Sequence, residues 1–159
     1  MAASVTITDL GEHPTWISTL ARWHFEQWGR LTGAGTLDDY VALLTAAAQS
    51  RTVPSILIAV AGDRLLGSAN LVACDMTVRA ELTPWLAQLF VAPARRRDGV
   101  GAALVAAVLQ RARSCGYPRA YLYTSGTLPE YYRRLGWRPV ERVAYLDRER
   151  TVMDYELIG

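Results

Sequence analysis

Three arginines and two glycines lie close together in residues 95–101, which read Arg-Arg-Arg-Asp-Gly-Val-Gly. Guanidinium groups present planar pairs of N–H donors that match phosphate oxygens. Because glycine has no Cβ, the backbone N–H groups beside Gly99 and Gly101 can approach a phosphate closely. A helix that begins here would add its unpaired first N–H groups and the positive end of its dipole. The segment therefore predicts a cradle for a pyrophosphate group.

A strand precedes this cradle and a helix follows it. Leu89, Phe90 and Val91 end a run of β-type apolar residues, and Pro93 stops that run. After Asp98, apolar residues recur at the four-residue interval of one helix face. These residues are Val100, Leu104, Val108 and Ala112.

Two other glycine-containing phosphate motifs do not fit this segment. The P-loop needs the sequence Gly-Lys-Ser/Thr, and this chain has no lysine. The Rossmann fingerprint needs three glycines after a strand near the start of a βαβ unit, whereas residues 95–101 lie well into the second half of the chain.

A second informative segment, residues 119–137, reads as a strand, a loop and a short helix followed by Gly-Trp. Tyr132 lies in the short helix, and a phenol with an ordinary pKa of about 10 can donate a proton at neutral pH. The alternative is that Tyr132 is an aromatic residue of the core. The neighbouring Tyr131 is rotated by about 100° around the helix, so the two hydroxyls cannot face the same reacting atom.

These two segments resemble the motifs of the GNAT superfamily of N-acyltransferases. Arg96, Gly99 and Gly101 match its acyl-CoA-binding motif, Arg/Gln-x-x-Gly-x-Gly/Ala. Its members also carry a tyrosine four residues before the glycine of a Leu-Gly-aromatic turn. That tyrosine corresponds to Tyr132, and the turn corresponds to the Leu-Gly-Trp sequence that ends at residue 137.

The resemblance covers roughly residues 82–140 and implies a fold and an activity. The implied fold class is α/β (α+β): a mixed, mostly antiparallel, V-split sheet of six or seven strands flanked by four helices, in one domain over residues 1–159. The implied activity is transfer of an acetyl group from acetyl-CoA to a primary amine by direct attack in a ternary complex. Neither motif contains a cysteine, which argues against a covalent thiol intermediate, and we expect no metal.

The resemblance also implies which residues hold the cofactor. The strand before the turn would offer backbone groups to the pantetheine arm, and the turn would bind the pyrophosphate. Ser125 stands where many relatives have a pantetheine-binding asparagine, and Arg95 would face solvent or the adenosine 3′-phosphate. Tyr132 is the implied general acid, which would protonate the leaving thiolate. The implied cofactor-binding residues are Leu89, Phe90, Val91, Arg96, Arg97, Asp98, Gly99, Val100, Gly101, Ala102, Ser125 and Tyr132.

The general base is not fixed by the motifs. An alkylamine with a pKa of about 10.4 is almost fully protonated at neutral pH, so a side chain or a water chain should accept its proton. The glutamate that some relatives carry six residues before the position of Val91 is Trp85 here, and an indole cannot serve as a base. Four candidates remain, each of which could instead be a solvated or capping residue. They are Asp75, Glu81, Glu26 and His24.

Three of these candidates bear on the acceptor. Asp75, Glu81 and Glu26 could give the acceptor pocket a negative lining, which would favour a small cationic amine or a peptide N-terminus over an acidic substrate. The connection over residues 75–84 and the break between the first two helices are short and offer no long platform for a peptide, which favours the small molecule. The alternatives are acetylation of a peptide or protein N-terminus and a non-catalytic CoA-sensing module with the same fold. A binder of phosphates or nucleic acid is a further class, but the formal charge of only +2 argues against it. The oligomeric state is open, and a homodimer is one candidate.

Composition limits the remaining classes. The 159 residues suffice for one domain that buries about two-thirds of its unfolded surface. The two cysteines and two histidines form neither a disulfide framework nor a zinc-like spacing. The N-terminus lacks the basic and apolar regions of a signal peptide, and no apolar run is long enough to cross a membrane. We therefore expect a soluble, cytoplasmic protein that binds neither membranes nor nucleic acid.

Hydrophobic periodicity and turn residues predict the elements that must position these groups. Thr36 is the predicted cap of the second helix, with Asp38 and Asp39 in its first turn. The dipeptide Gly62-Asp63 predicts a hairpin, and Gly116 predicts the end of the long helix. The predicted strands cover residues 5–10, 55–61, 64–74, 85–91, 119–124, 138–145 and 150–157, and the predicted helices cover about 16–28, 36–49, 98–114 and 130–135.

Overall fold

The computed structural model describes residues 4–32, 35–96 and 98–158. The strands in these ranges are β1 (Thr6–Asp9), β2 (Ser55–Ala61), β3 (Arg64–Val72), β4 (Trp85–Val91), β5 (Arg119–Thr124), β6 (Arg138–Tyr145) and β7 (Arg148–Glu156). The α-helices are α1 (Ile17–Thr32), α2 (Leu37–Ala47), α3 (Val100–Ser114) and α4 (Leu128–Arg134). This order of elements is the one that the sequence predicts.

The strands form one sheet in the order β1-β2-β3-β4-β5-β7-β6. Every neighbouring pair is antiparallel except β4 and β5, which run parallel. The β4–β5 pairing is limited to Trp85 opposite Tyr121, and beyond this point the two strands separate. The predicted fold class is therefore confirmed: a mixed, mostly antiparallel, V-split sheet, here with seven strands and four helices in the described residues.

Helices cover both faces of the sheet, and the sequence of β2 reflects this. All of its residues are buried, because successive side chains point to two faces that are both covered. Leu57 and Ala59 belong to the cluster that contains Leu104 of α3. Ile58 belongs to the cluster on the other face, which contains Leu20 of α1 and further residues of α2. The two clusters therefore cover the two faces of the central strands.

Two predicted helix caps are confirmed. The Thr36 hydroxyl accepts a hydrogen bond from the backbone N–H of Asp39 at 3.1 Å, and the Asp39 carboxylate accepts one from the backbone N–H of Thr36 at 3.0 Å. This reciprocal capping box satisfies two groups that the helix itself cannot. After α3, Gly116 has a φ of +86°, a left-handed conformation that favours glycine at a helix end.

Two boundaries near the site differ from the predicted ones. The helix α4 begins at Leu128 rather than at residue 130, because Pro129 fits the first turn of a helix. The strand β7 begins at Arg148 rather than at residue 150, because β6 and β7 form a tight hairpin. Its turn residues, Leu146 and Asp147, have φ values of +52° and +63°. The turn is hard to predict because it contains no glycine.

The remaining differences lie at element ends. Short 3-10 turns at Leu10–Glu12 and Pro14–Trp16 shorten the predicted first strand and delay the start of α1. A third, Thr77–Arg79, lies in the connection between β3 and β4. Within the ranges that the structure describes, no helix combines the length and the apolar character needed to cross a membrane.

Candidate active site

The V-shaped opening between β4 and β5 holds a cavity of about 560 Å³. One wall consists of residues 86–89 of β4, and the opposite wall consists of residues 122–125 at the end of β5. Leu128 and Tyr132 of α4 line it too, and the β6–β7 hairpin closes one side. A cavity of this size suits a small molecule or the end of an extended ligand.

A β-bulge bends β4 where it lines this cavity. The register with β3 shifts between Ser68 and Asn70, and Gln88 at the bulge has a φ of +52°. The Gln88 side chain is held in place: its Oε1 accepts a hydrogen bond from Asn70 Nδ2 at 2.9 Å, and its Nε2 donates to the Tyr40 hydroxyl at 3.5 Å. Beyond Trp85, the edge of β4 that faces β5 has no strand partner among the described residues, so its backbone groups are open to a ligand.

The three strand residues predicted to border the pantetheine arm follow this bulge. Leu89 lines the cavity. Phe90 faces the other side of the sheet, where its ring centre lies 5.3 Å from that of Trp23 and 6.1 Å from that of Trp28. Val91 packs against the core cluster that contains α3. The side chains of Phe90 and Val91 therefore pack against other residues, and a ligand in the cavity could contact only the backbone of these two residues.

The residues of the predicted phosphate cradle lie at the N-terminus of α3. Gly99 caps the helix with a φ of +83°, and a Cβ placed there would meet no atom within 4 Å. The N–H groups of residues 100–102, in the first turn, have no partner within the helix. Arg96 is anchored beside them: its Nε donates to the Val91 carbonyl at 3.0 Å, and its guanidinium carbon lies 5.9 Å from the centre of the Phe90 ring.

The structure describes two of the three other charged residues in this segment, Arg95 and Asp98. Arg95 Nε forms an ion pair with the Asp98 carboxylate at 3.2 Å, which neutralises this acid beside a predicted anion site. Arg97 lies outside the described residues. A Cβ on Gly101 would lie 2.9 Å from the Tyr131 hydroxyl oxygen, so Tyr131 faces the cradle. Its neighbour Tyr132 lines the cavity instead, as their rotation around the helix predicts.

Tyr132 presents a buried phenol to the cavity. Its side chain is only 9% exposed, and burial raises the pKa of the phenol well above its ordinary value of 10. The hydroxyl is therefore protonated at neutral pH, and it has no hydrogen-bond partner in the described part of the chain. Ser125, the predicted pantetheine contact, lines the same cavity at the end of β5.

The Leu-Gly-Trp turn after α4 fixes the position of Tyr132. The backbone N–H of Trp137 donates to the Tyr132 carbonyl at 3.1 Å, and the two rings lie 6.3 Å apart. Gly136 has a φ of +101°, and a Cβ there would lie 3.0 Å from the ring of Tyr155. Both the backbone conformation and this close contact favour glycine at residue 136.

Asp75 lines the cavity from the connection that follows β3. Burial raises the pKa of its carboxyl group from 3.8 to about 7. Burial, and then the nearby Asp75 carboxylate, raise the pKa of Tyr123 to about 12. Asp75 forms no hydrogen bond or ion pair with the residues at 4–32, 35–96 and 98–158. A carboxyl group with this pKa can accept a proton at neutral pH.

The other three candidate bases do not line the cavity. His24 is fully buried, where its Nε2 shares a hydrogen bond with Ser68 Oγ at 2.8 Å, and burial lowers its pKa to about 4. Glu26 and Glu81 are exposed, on α1 and in the connection before β4. The negative lining expected from three carboxylates therefore does not form, because only Asp75 among them reaches the cavity.

Two arginines of the β6–β7 hairpin line the cavity without having been predicted there. Arg148 is exposed, whereas Arg150 is only 9% exposed. Arg150 Nε donates to the Tyr145 carbonyl at 3.1 Å, and its guanidinium carbon lies 5.5 Å from the centre of the Tyr123 ring. A signal was present in the sequence, because alternate residues of a strand share a face and Arg150 shares one with the buried Val152.

The chain is similar to known acetyltransferases in sequence pattern and in fold. A family model described as an acetyltransferase (GNAT) domain matches residues 25–140. The solved structure of an aminoglycoside 6′-N-acetyltransferase complexed with coenzyme A is 18% identical, and the match covers 97% of this chain and 98% of that one with a TM-score of 0.76. The aminoglycoside 6′-N-acetyltransferase from Enterococcus faecium is 18% identical over 98% of both chains, with a TM-score of 0.72. An acetyltransferase from Salmonella typhimurium with its cofactor acetyl-CoA is 17% identical over 96% of this chain and 94% of that one, with a TM-score of 0.73.

No curated protein sequence matches the chain. At these identities the solved structures show that the fold is shared. The family match goes further, because it spans the bulged strand β4, the cradle at the start of α3 and the helix that carries Tyr132. The chain therefore belongs to the GNAT acetyltransferase family and is an acetyl-CoA-dependent acetyltransferase, as its two motifs predict.

Proposed function

We propose that this enzyme transfers the acetyl group of acetyl-CoA to the primary amine of a small molecule by direct attack in a ternary complex. The observation that carries the proposal is the cavity in the split sheet. A buried, protonated phenol, Tyr132, and a carboxyl group with a pKa of about 7, Asp75, line the same space. The free edge of β4 leads from this space to the N-terminus of α3.

In this proposal the cofactor follows β4 from the cradle to the cavity. The pyrophosphate binds the free N–H groups of residues 100–102, with Gly99 leaving room and Arg96 adding charge. Arg97 and the backbone of Asp98 belong to the same cradle. The pantetheine arm then lies along the unpaired edge of β4 and beside Ser125, which brings the thioester to the cavity.

The acetyl transfer is balanced by three proton movements. The acceptor ammonium first loses a proton to the Asp75 carboxylate, directly or through water, which leaves a neutral amine. The amine nitrogen attacks the thioester carbonyl carbon, and a C–N bond forms in a tetrahedral intermediate. The C–S bond then breaks, and the CoA thiolate takes the phenolic proton of Tyr132. The second proton of the nitrogen returns through water to the Tyr132 phenolate, and Asp75 releases its proton to solvent.

Asp75 suits the role of base because its pKa lies near the working pH. The charged and titratable groups that line the cavity with it are Cys74, Tyr123, Tyr132, Tyr145, Arg148 and Arg150. Burial raises the pKa of the Asp75 carboxyl group to about 7. His24 does not line the cavity, and its ring is buried beside Trp28, Phe90 and Ser68.

A covalent route through Cys74 is the mechanistic alternative. Neither motif contains a cysteine, yet Cys74 is exposed and lines the cavity beside Asp75. Its thiol points toward the Met76 carbonyl at 3.6 Å. We favour direct attack, because Asp75 and Tyr132 already provide both proton transfers and no base contacts the thiol in the described residues.

A small acceptor is supported by the volume of the cavity, about 560 Å³, which must also admit the end of the pantetheine arm. The solved structures of similar fold include aminoglycoside 6′-N-acetyltransferases, whose names indicate small amine acceptors. A primary amine arrives mainly as an ammonium ion, and Asp75 provides the opposite charge.

A panel of amines tests the proposal. Polyamines, aminoglycosides, amino acids, arylalkylamines and short peptides are incubated with acetyl-CoA, and CoA release is measured with a thiol reagent. We expect amine-dependent release with at least one class of small amine, and its loss in Tyr132→Phe. Release that no amine increases above the background hydrolysis would contradict the proposal. Release with peptides alone would favour N-terminal acetylation.

A further inference from the structure

Charges of both signs line the cavity. Asp75 lies on one side, and Arg148 and Arg150 lie on the β6–β7 hairpin. Glu26 and Glu81 contribute nothing here, since neither reaches the lining. One carboxyl group and two guanidinium groups form a different environment from the negative pocket that the sequence predicts. They suit a ligand that carries an anionic group in addition to its amine.

Arg150 is the informative member of this set. Its side chain is about nine-tenths buried, and its Nε donates to the Tyr145 carbonyl at 3.1 Å. Both Nη groups remain for another partner. The Tyr123 ring, 5.5 Å away, orients the guanidinium without neutralising it. In the chain as described, no carboxylate lies within ion-pair distance of Arg150.

Other partly buried arginines of the sheet and of α3 do have carboxylate partners. Arg111 pairs with Asp9 at 2.8 Å, and Arg119 pairs with Asp154 at 3.2 Å. A buried charge is costly unless an opposite charge or strong hydrogen bonds compensate it. An arginine held in a cavity wall without a carboxylate is therefore expected to find its counter-ion in the ligand.

Asp75 and Arg150 are close enough to one ring to serve a single ligand. The two residues act on the Tyr123 phenol in opposite directions: Asp75 raises its pKa and Arg150 lowers it. They do not form an ion pair with each other. A ligand that lies along Tyr123 can thus present an ammonium group to one residue and an anion to the other.

Building on the proposed function, we propose that the acceptor is an amine that also carries a carboxylate, as an amino acid does. Its carboxylate binds the Nη groups of Arg150, and its amine lies beside Asp75. Guanidinium and carboxylate groups form two parallel hydrogen bonds, which would fix the orientation of the acceptor as well as its affinity. Arg148, exposed on the same hairpin, adds positive potential that attracts the carboxylate.

Matched acceptors test this inference in the unmodified enzyme. Lysine is compared with cadaverine, and phenylalanine with phenethylamine, since each pair differs only by the carboxylate. We expect kcat/KM to be roughly 30-fold or more higher for the amino acid of at least one pair. Equal or faster acetylation of the decarboxylated amines would overturn the inference while leaving the proposed function intact. Absence of turnover with every amine would overturn both.

Variants separate recognition by Arg150 from a purely structural role. Arg150→Gln should reduce kcat/KM for the amino acid to the level of its decarboxylated partner and leave that partner unchanged. Arg142→Gln, which removes an exposed arginine of β6 that pairs with Glu149, is the matched control. If Arg150 only stabilised the hairpin, Arg150→Gln would lower kcat/KM for both acceptors by the same factor, and this result would contradict the inference. Acetyl-CoA affinity and the Tm of Arg150→Gln, with Arg150→Lys for comparison, show whether the variant folds.

Discussion

Tyr132 joins two properties that a general acid needs in this reaction. Burial raises the pKa of its phenol, so the proton is present at neutral pH, and the residue lines the cavity with no hydrogen-bond partner for its hydroxyl among the described residues. The CoA thiolate that leaves the tetrahedral intermediate is a base that this phenol would protonate.

Replacing Tyr132 by Phe should therefore lower kcat by about 10²- to 10⁴-fold, because the variant lacks only the proton donor. Acetyl-CoA affinity, measured by calorimetry, should stay close to that of the unmodified enzyme. Tyr117→Phe, which removes a hydroxyl away from the cavity, is the control. An unchanged kcat in Tyr132→Phe would show that the residue only packs, or that chemistry does not limit the rate.

If Asp75 is the general base, as proposed, the rate should depend on pH. Its folded-state pKa is raised from 3.8 to about 7, so below pH 7 the carboxyl group is mostly protonated and cannot accept the proton of the amine. The profile of kcat/KM should rise with pH through about 7. Asp75→Asn should lose this step and about 10²- to 10⁴-fold in rate. A profile for Asp75→Asn that matches the unmodified enzyme would remove Asp75 from the chemistry.

The same pKa shift predicts an effect of Asp75 on stability with the opposite sign. Between 3.8 and about 7 the folded chain keeps a proton that the unfolded chain has lost, so the stability from this site falls as pH rises. Asp75→Asn carries no charge to bury and should have the higher Tm above pH 7. Its advantage should shrink as the pH falls toward 4, which thermal denaturation across this range would show.

Cys74 distinguishes direct attack from a covalent route. If the amine attacks acetyl-CoA itself, Cys74→Ser keeps most of the activity, and double-reciprocal plots with two varied substrates intersect. An acetyl-cysteine intermediate would instead give parallel lines and an inactive serine variant. Mass spectrometry of the enzyme after incubation with acetyl-CoA alone would reveal such an adduct.

Among the secondary-structure elements, the proposed cofactor site depends most on how α3 begins. Gly101 lies in the first turn of α3, and any side chain there would meet the Tyr131 hydroxyl, 2.9 Å from an added Cβ. Gly101→Val should weaken acetyl-CoA binding by about tenfold or more, because the valine would either displace Tyr131 or crowd the pyrophosphate. Overpacking of this kind typically costs about 1–3 kcal/mol.

Tyr131→Phe and the double variant separate two causes of that loss. The double variant removes the hydroxyl that the valine would meet, so it should recover part of the affinity if this contact matters. A loss that persists in full would point to direct crowding of the pyrophosphate. Normal acetyl-CoA binding by Gly101→Val would mean that the cradle lies elsewhere.

The elements that carry the two motifs are predictable because their signals are local. The strand β4 has the predicted bounds of residues 85–91, since an apolar run ends at a proline. The bulge at Gln88 is not predictable, because it depends on pairing with β3 and on a glutamine in a left-handed conformation. The turn at Leu146 and Asp147 is also hard to predict, because two residues other than glycine adopt left-handed conformations there. The position of Arg150 in the cavity depends on the hairpin that this turn forms.

In the molecule as a whole, some groups that stabilise the fold lie away from the cavity. Arg111 of α3 donates to both carboxylate oxygens of Asp9 on β1, at 3.0 and 2.8 Å. Its Nη1 also lies 3.0 Å from the Arg51 carbonyl and from Ser55 Oγ, so it joins β1, β2 and α3. None of these residues lines the cavity.

Asp9→Asn should therefore lower stability without changing the chemistry. The amide cannot accept two charge-assisted hydrogen bonds, and a loss of about 1–3 kcal/mol in the free energy of unfolding is expected from urea denaturation. kcat and acetyl-CoA affinity at 25 °C should remain those of the unmodified enzyme. A selective loss of activity with normal stability would show that this edge of the sheet does influence the site.

The residues that line the acceptor side of the cavity could be predicted from the sequence only in part. Asp75, Glu81 and Glu26 look equivalent as carboxylates in a sequence, yet packing sends only Asp75 into the cavity. Arg148 and Arg150 arrive from a hairpin near the C-terminus, far from both motifs. The proposed cofactor contacts lie in short segments of the sequence, whereas the proposed acceptor contacts are brought together by long-range packing.

A calorimetric titration of acetyl-CoA into the unmodified enzyme, Gly101→Val and Tyr132→Phe tests where the cofactor binds. If the split sheet and the start of α3 form the cofactor site, the unmodified enzyme and Tyr132→Phe bind one acetyl-CoA per chain with micromolar affinity, and Gly101→Val binds it much more weakly. Failure of the unmodified enzyme to bind acetyl-CoA, or equal binding by all three proteins, would contradict the account.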